Sequence, residues 1–375
     1  MRNWGIVFLV LITYLRIFSR VLLLGIYVVY IVIKLPGKIS PQLLSRLILG
    51  RVGIIDPDVI VGPSIGEDAA IIDLGDEKVL VVHADPITGA IEYLGWLAVH
   101  IACNDVAVRG VKPRWLLSVL YFPEDADEEL IDKIAHQIHE AAREVEVMVV
   151  GGHSEYTPGL NRPLISMTAI GLGEKNKYVT TSGARVGDAV IMTKTVGLEG
   201  TSILATDFTE ILLSKGVSEN IIRSAAEFIK KVSVVKEALA LANAGLATSM
   251  HDPTEGGLLG GLAEIAYASH KTLYIYEDRV RIAEETKIIA YALNLDPLKL
   301  ISSGVLIATV SKDRVEEALT ILKRIGVEAE IIGYVAEKSD SYVIVHRRSG
   351  EVEKINDVYV KDELTRAWEM WGKKL

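Results

Sequence analysis

The chain has 375 residues, half of them hydrophobic and 24% charged, with a formal net charge of −9. That length and composition provide a sizeable core and two domains of ordinary size, and they exclude wholesale disorder. No basic run tracks a nucleic-acid backbone, so nucleic acid is not an expected partner; the single cysteine, Cys103, rules out an intramolecular disulfide and a cysteine-based zinc cluster.

The N-terminus is apolar in two runs, residues 4–15 and 21–33, separated by Arg16, Ser19 and Arg20. A spanning helix needs about 20 apolar residues; neither run reaches that alone, and a span through both would bury two arginines. Three readings stay open for residues 1–34: a membrane anchor or paired interfacial segment, an over-extended gene start, and a soluble buried helix. A shorter start would need a non-AUG codon, because no methionine occurs between Met1 and Met148. The scarcity of cysteine fits a reducing compartment, so the expected location is the cytoplasm, with membrane association through residues 4–33 on the cytoplasmic side as the variant.

A short helical pattern from Leu43 to Leu49 gives way to the Pro57, Gly62 and Pro63 punctuation of a loop. Residues 69–74 and 79–84 read as strands around a GDEK turn. Residues 94–108 predict a helix with a mostly apolar surface, and 115–122 a further strand. From Asp127 to Val145, Leu130, Ile131, Ile134, Ile138, Ala141 and Val145 recur at helical spacing. The strand 147–150 runs into Gly151-Gly152, and 163–171 is the next strand. After the polar stretch 173–188, the second half opens with the strand 189–194 and the loop TVGLEGT. Helices near 218–244, a loop entering a helix at 251–266, the apolar stretch 301–310, a helix from Arg314 to Ile325 and a terminal strand pattern complete it. Strands and helices mix without strict alternation, which predicts an α+β architecture. The domains fall at 35–172 and 173–345, with a tail at 346–375.

The acids carry the chemical signal. Asp68 follows the loop GPSIGE, Asp85 ends an apolar strand, Asn104-Asp105 lies inside an apolar helix, and Asp252 precedes Gly256-Gly257. Three have a purely structural explanation: Asp68 can cap a turn, Asp85 before Pro86 can form one, and Asp252 to Glu255 can open a helix capped by Thr254; Asn104-Asp105 is harder to dismiss, because a charge in the middle of so apolar a helix needs a reason. Acids in apolar surroundings are costly unless paired, hydrogen-bonded or metal-bound. Four together therefore point to a hard-cation site such as magnesium, which typically bridges carboxylates to substrate phosphates, with glycine-loop N–H groups on the phosphates themselves. Lys194 is either a phosphate contact or a solvated strand-end lysine, and His100 reads as a satisfied core histidine. His251 is not separable into ligand or neighbour, and His83 shares a strand face with Asp85.

Five stretches in order, GEDAA (66–70), HADPITGA (83–90), NDVAVRGVKP (104–113), GGHSE (151–155) and DPTEGGLLGGLAEIA (252–266), resemble the aminoimidazole ribonucleotide synthase superfamily. It includes PurM, HypE, selenophosphate synthetase and thiamine-monophosphate kinase; the resemblance covers residues 35–345, and NDVAVRGVKP (104–113) and DPTEGGL (252–258) look most like the HypE branch. The resemblance implies a PurM-like two-domain fold with N-terminal domains paired through a β-sheet in a homodimer. It also implies use of ATP and magnesium to phosphorylate an oxygen of a small-molecule or protein-borne acceptor. By motif, Asp68, Asp85, Asp105 and Asp252 are the implied metal ligands, and Asp105, His153 and Asp252 the catalytic candidates. Gly66, Glu67, Asp68, Asn104, Gly151, Gly152, Thr254, Gly256 and Gly257 are the implied nucleotide-binding positions.

Two departures narrow that reading. His153 stands where the family commonly has Asp or Glu, and the chain ends AWEMWGKKL without the terminal cysteine on which HypE carries its chemistry. The alternatives are a thiamine-monophosphate-kinase-like enzyme, against which His83-Ala84 stands, and a maturation or regulatory protein that binds nucleotide without catalysis.

Overall fold

The structure, a computed structural model, describes residues 38–88 and 92–372. The readings for residues 1–34 lie outside the described residues; among the described ones no helix is long and apolar enough to cross a membrane.

The first half is built on a six-stranded sheet. Its strands are β1 (Val59–Val61), β2 (Ala70–Gly75), β3 (Lys78–Ile87), β4 (Pro113–Phe122), β5 (Met148–Tyr156) and β6 (Leu164–Glu174), in the order β1-β2-β3-β6-β4-β5. Every neighbouring pair is antiparallel except β4 and β5, which run parallel. β6 shows why the sheet has one dry face: Ile165, Met167 and Ala169 are buried at alternate positions while their neighbours are only half-buried.

After α1 (Pro41–Leu44), which continues as a π-helical turn to Leu49, two helices cover this half. In α3 (Glu128–Glu144) the Asp127 carboxylate caps Leu130 N–H at 2.9 Å, Glu128 and Glu129 sit in the first turn, Arg143 in the last, and Ile134, Ile138, Ala141 and Ala142 face inward. α2 (Leu94–Ala107) has no polar face, and all of it except Trp96 is buried. It lies between β3 and β6 on one side and α3 on the other, and it also meets the second half. An all-round apolar helix is stable only at such a central position.

The second half has a seven-stranded sheet of β7 (Ala189–Thr193), β8 (Ala247–His251), β9 (Thr272–Tyr276), β10 (Ile307–Val310), β11 (Ala329–Ala336), β12 (Val343–His346) and β13 (Val352–Ile355). The strand order is β13-β12-β9-β11-β7-β10-β8. Its helices are α4 (Leu198–Asp207), α5 (Thr209–Ser214), α6 (Glu219–Ala226), α7 (Val235–Asn243), α8 (Gly257–Ser269), α9 (Glu284–Leu293), α10 (Val315–Arg324) and α11 (Glu363–Trp371). The two sheets with helices confirm the α+β class. The stretch after residue 345 is more than a tail: β13 pairs with β12 at the sheet edge, and α11 stacks Trp368 edge-on against Phe208.

One expectation along the chain is corrected. Gly151-Gly152 does not end a strand in a loop; it lies inside β5, opposite Leu117 and Ser118 at a register shift. At Gly152 the backbone has φ +151°, and a Cβ there would sit 1.8 Å from Ser118 O, so the glycine serves close strand approach. The apolar stretch 301–310 is a strand only from Ile307; residues before it form a tight loop in which Ser302 Oγ accepts Gly197 N–H at 2.8 Å.

Candidate active site

The site forms where α2 meets the second half. Asn104 ties the two together: its Nδ2 donates to Val232 O (2.9 Å) and its Oδ1 accepts from Val234 N (2.8 Å). Both amide atoms are committed to that bridge, and the side chain is fully buried. The next residue, Asp105, is carried on the same anchored helix.

One carboxylate oxygen from each of Asp68, Asp105 and Asp252 lies within 4.8 Å of the others, and Asp105 also belongs to a second such group with His83 and Asp85. Their origins are widely separated: the loop before β2, the strand β3, the helix α2 and the end of β8. His83 Nε2 stands 3.3 Å from Asp105 Oδ2, so the face shared by His83 and Asp85 does turn toward the helix.

Asp68 is held by two cations. Arg109, fully buried just past the end of α2, sends NH1 to Glu67 Oε2 (2.6 Å) and NH2 to Asp68 Oδ2 (2.8 Å). The same NH2 reaches Thr181 Oγ1 (2.9 Å) and Met250 O (2.6 Å), crossing from one half to the other. His251 places Nδ1 2.6 Å from Asp68 Oδ1 and Nε2 2.8 Å from Glu264 Oε2. Burial opposes a charged imidazole, but Asp68 and Glu264 outweigh it and raise His251 to about 10. Each carboxylate oxygen has two lone pairs, so Asp68 keeps capacity for a further ligand on both atoms. Glu67, by contrast, is occupied by Arg109 and by the backbone N–H groups of Thr181 and Ser182, each at 3.0 Å.

Asp252 is the exception in this network. It is buried, and neither carboxylate oxygen has a hydrogen-bond partner among the described residues. Burial, then the neighbouring Asp68 charge, pushes its pKa upward, with His251 and Arg109 pulling the other way. An orphaned carboxylate beside two others, all oxygen donors, fits a hard cation such as magnesium.

The glycines shape the approach. Gly66 has φ +86°, and a Cβ would fall 2.9 Å from Glu264 O, so the loop carrying Asp68 packs directly on α8. Gly256 and Gly257 lead into α8, with Gly257 N–H bonded to Thr254 O at 3.0 Å. The Gly256 N–H is already capped by Asp362 Oδ2 at 2.8 Å, from the N-terminus of α11.

The remaining predicted positions lie apart. His153 is on β5, paired with Glu155 at 3.1 Å, its side chain 64% exposed, and it is in neither carboxylate group. Lys194 is neither solvated nor a free phosphate contact, since its Nζ binds Glu237 (2.8 Å) and the carbonyls of Lys231 and Ser233. His100 is a core histidine whose ring is tilted against Trp96, but not a satisfied one: both ring nitrogens lack a hydrogen-bond partner among the described residues, and burial pulls it down to about 3. Cys103 is fully buried, and burial pushes its thiol up, as for an inert core residue. Arg109 was missed as a functional residue, although one arginine inside the apolar stretch from Val106 to Val111 was the available signal.

Comparison with known proteins places the chain in a family. The families described as AIR synthase related protein, N-terminal domain and C-terminal domain match residues 66–173 and 185–346. A putative hydrogenase expression/formation protein of Methanocaldococcus jannaschii is 32% identical over 339 residues, covering 88% of this chain and 96% of that protein. Selenide, water dikinase 2 of Peptoclostridium acidaminophilum is 30% identical over 257 residues, 68% of this chain and 71% of the relative. Among solved structures, the hydrogenase maturation protein HypE in complex with ATP superposes with a TM-score of 0.65 at 23% identity, covering 88% of this chain and 97% of that one. With both family domains matched in order across most of its described length, the chain belongs to the AIR synthase related family, close to its HypE-like members.

Proposed function

We propose that the protein is an ATP- and magnesium-dependent enzyme that phosphorylates an oxygen of an acceptor. The observation that carries this reading is the convergence of Asp68, Asp105 and Asp252, with both oxygens of buried Asp252 lacking a hydrogen-bond partner. Asp68, Asp105 and Asp252 would hold the ion, with Asp85 and His83 adjoining through Asp105. Magnesium would supply the positive charge that lets polyphosphate approach these carboxylates.

The chain's own groups orient the site. Arg109 and His251 fix Asp68 from both oxygens, and Asn104 fixes the helix bearing Asp105. Gly66 and Thr254 lie on the segments that carry Asp68 and Asp252, where backbone N–H groups would serve phosphates. The HypE neighbour complexed with ATP and the dikinase relative support nucleotide use. The N-terminal halves of two copies pair through β5, an edge strand whose Met148 is 66% and Tyr156 56% exposed.

Calorimetric titration of ATP with and without Mg2+, followed by a metabolite screen for ATP-dependent phosphorylation, tests the reading. Mg-dependent binding and turnover that collapses in Asp68→Asn are expected. Absence of nucleotide binding would overturn it, and binding without turnover on every compound would favour a maturation or regulatory role. Light scattering of wild type against Met148→Glu checks the pairing, with a monomeric wild type counting against it.

A further inference from the structure

Strand β3 turns one face to α2, and that face is apolar at Val79, Val81 and Ile87, all buried. The two positions between Val81 and Ile87 on the same face are His83 and Asp85, both half-buried. Asp105, on α2, meets them there. Its Oδ2 stands 3.3 Å from His83 Nε2, and one ligand atom from each of the three residues lies within 4.8 Å of the other two. An imidazole and a carboxylate thus interrupt an otherwise dry strand face, opposite a second carboxylate on the covering helix.

An ion pair between His83 and Asp105 accounts for only part of this arrangement. Even with the imidazole protonated, two carboxylates leave the group negative, and Asp68 and Asp252 form the second group around Asp105. The neighbouring fixed cations are committed elsewhere: Arg109 binds Glu67 and Asp68, and His251 lies between Asp68 and Glu264. Asp252 points the same way independently, because it is 1% exposed and neither of its oxygens has a hydrogen-bond partner among the described residues. Carboxylates this close together call for cations.

The two groups that share Asp105 differ in donors and in access. Asp68, Asp105 and Asp252 offer oxygen alone and are all buried, whereas His83, Asp85 and Asp105 offer a nitrogen and two oxygens, with only Asp105 buried. Magnesium takes oxygen ligands and gives up its waters reluctantly. An imidazole nitrogen instead favours first-row transition ions, whose affinity for such sites rises from manganese to copper.

We propose that His83, Asp85 and Asp105 form a second cation site beside the magnesium position, in which the His83 imidazole is a direct ligand and selects a first-row transition ion over Mg2+. Asp105 is shared by the two positions. The assignment rests on the magnesium reading for the neighbouring ion alone; the nitrogen-ligated ion is a property of β3 and α2 and is measured without nucleotide. Three protein ligands do not fill an octahedral shell, so water or a phosphate oxygen completes it from the half-buried side.

The test uses the full chain, stripped of metal, held in excess Mg2+ and titrated with Mn2+ under electron paramagnetic resonance. A bound Mn2+ is expected to persist against Mg2+, and its pulsed spectrum should show coupling to a histidine nitrogen. Isotopic labelling of histidine nitrogen should change that coupling without any substitution. His83→Gln should abolish the coupling and lower the preference for Mn2+ over Mg2+ at least about tenfold, since loss of an outer-shell partner alone costs about that much. Asp85→Asn should weaken Mn2+ binding, and Asp252→Asn, outside this group, should leave the coupling in place. The proposal is overturned if wild type shows no histidine coupling, if the coupling survives in His83→Gln, or if Mg2+ displaces Mn2+ equally from the two. An unchanged Mn2+ affinity in Asp85→Asn would also overturn it, as would loss of the coupling in Asp252→Asn, which would mean a single ion. Should His83→Gln not fold, the labelling and the two aspartate variants decide. If wild type binds no ATP, the functional reading fails, while the histidine-coupled ion is still decided on the nucleotide-free chain.

Discussion

Arg109 and Asp252 are opposite solutions to burying charge. Arg109 meets two carboxylates, a hydroxyl and a carbonyl, so removing it leaves Glu67 and Asp68 uncompensated in the interior. Arg109→Met is expected to cost about 3–5 kcal/mol in denaturant unfolding. Arg109→Lys should recover only part of that, because a point charge cannot serve four acceptors in a plane. Asp252 has no such compensation. Asp252→Asn is therefore expected to raise the melting temperature of the metal-free protein while abolishing the stabilisation by Mg2+. It should also cut turnover at least about 100-fold, or about 2.7 kcal/mol of barrier; a variant that keeps both turnover and Mg2+ stabilisation would remove Asp252 from the site. Both residues were visible as charges in apolar sequence, but which one had partners was not, since those partners lie 41 or more positions away for Arg109.

At the scale of elements, α2 and α3 were the most legible and the glycine pair of β5 the least. Helical spacing and a cap announce α3 locally, and an apolar run announces α2. Gly151-Gly152 looks the same in a phosphate loop and in a bulged strand; only the approach of Ser118 distinguishes them. The start of α11 was equally hidden, because Asp362 acts on a distant partner: it accepts both Leu364 N–H (2.7 Å) and Gly256 N–H (2.8 Å). Asp362→Ala removes a helix cap and uncovers the turn into α8, and should destabilise the protein by about 1–2 kcal/mol in chemical denaturation. Proteolysis should then release the C-terminal helix earlier than in wild type; unchanged cleavage would show that Trp368 alone holds α11.

For the whole molecule, the charge network sets a pH dependence. Folding raises Asp252 from an ordinary 3.8 toward about 8, so the folded state holds the proton that the unfolded chain gives up, and stability falls as pH rises through that interval. His251, raised from 6.5 to about 10, contributes stability that is complete below 6.5 and lost as pH climbs through 10. Both act in the same direction. The melting temperature of the metal-free protein should decline from neutral to alkaline pH, and Mg2+ should restore more of it at pH 8 than at pH 6. A melting temperature that rises with pH in the absence of metal would contradict the buried Asp252.

By itself the sequence determined the α+β class, the family and the four acids set in apolar surroundings. Those features are local or compositional: periodicity, capping, charge count and acids set in apolar runs. Tertiary structure decided which acids meet, that Arg109 and His251 clasp Asp68, and that Asn104 is a bridge between halves. The physical reason is burial. A carboxylate's role is set by the partners and the solvent it has lost, and both come from segments far away in the chain.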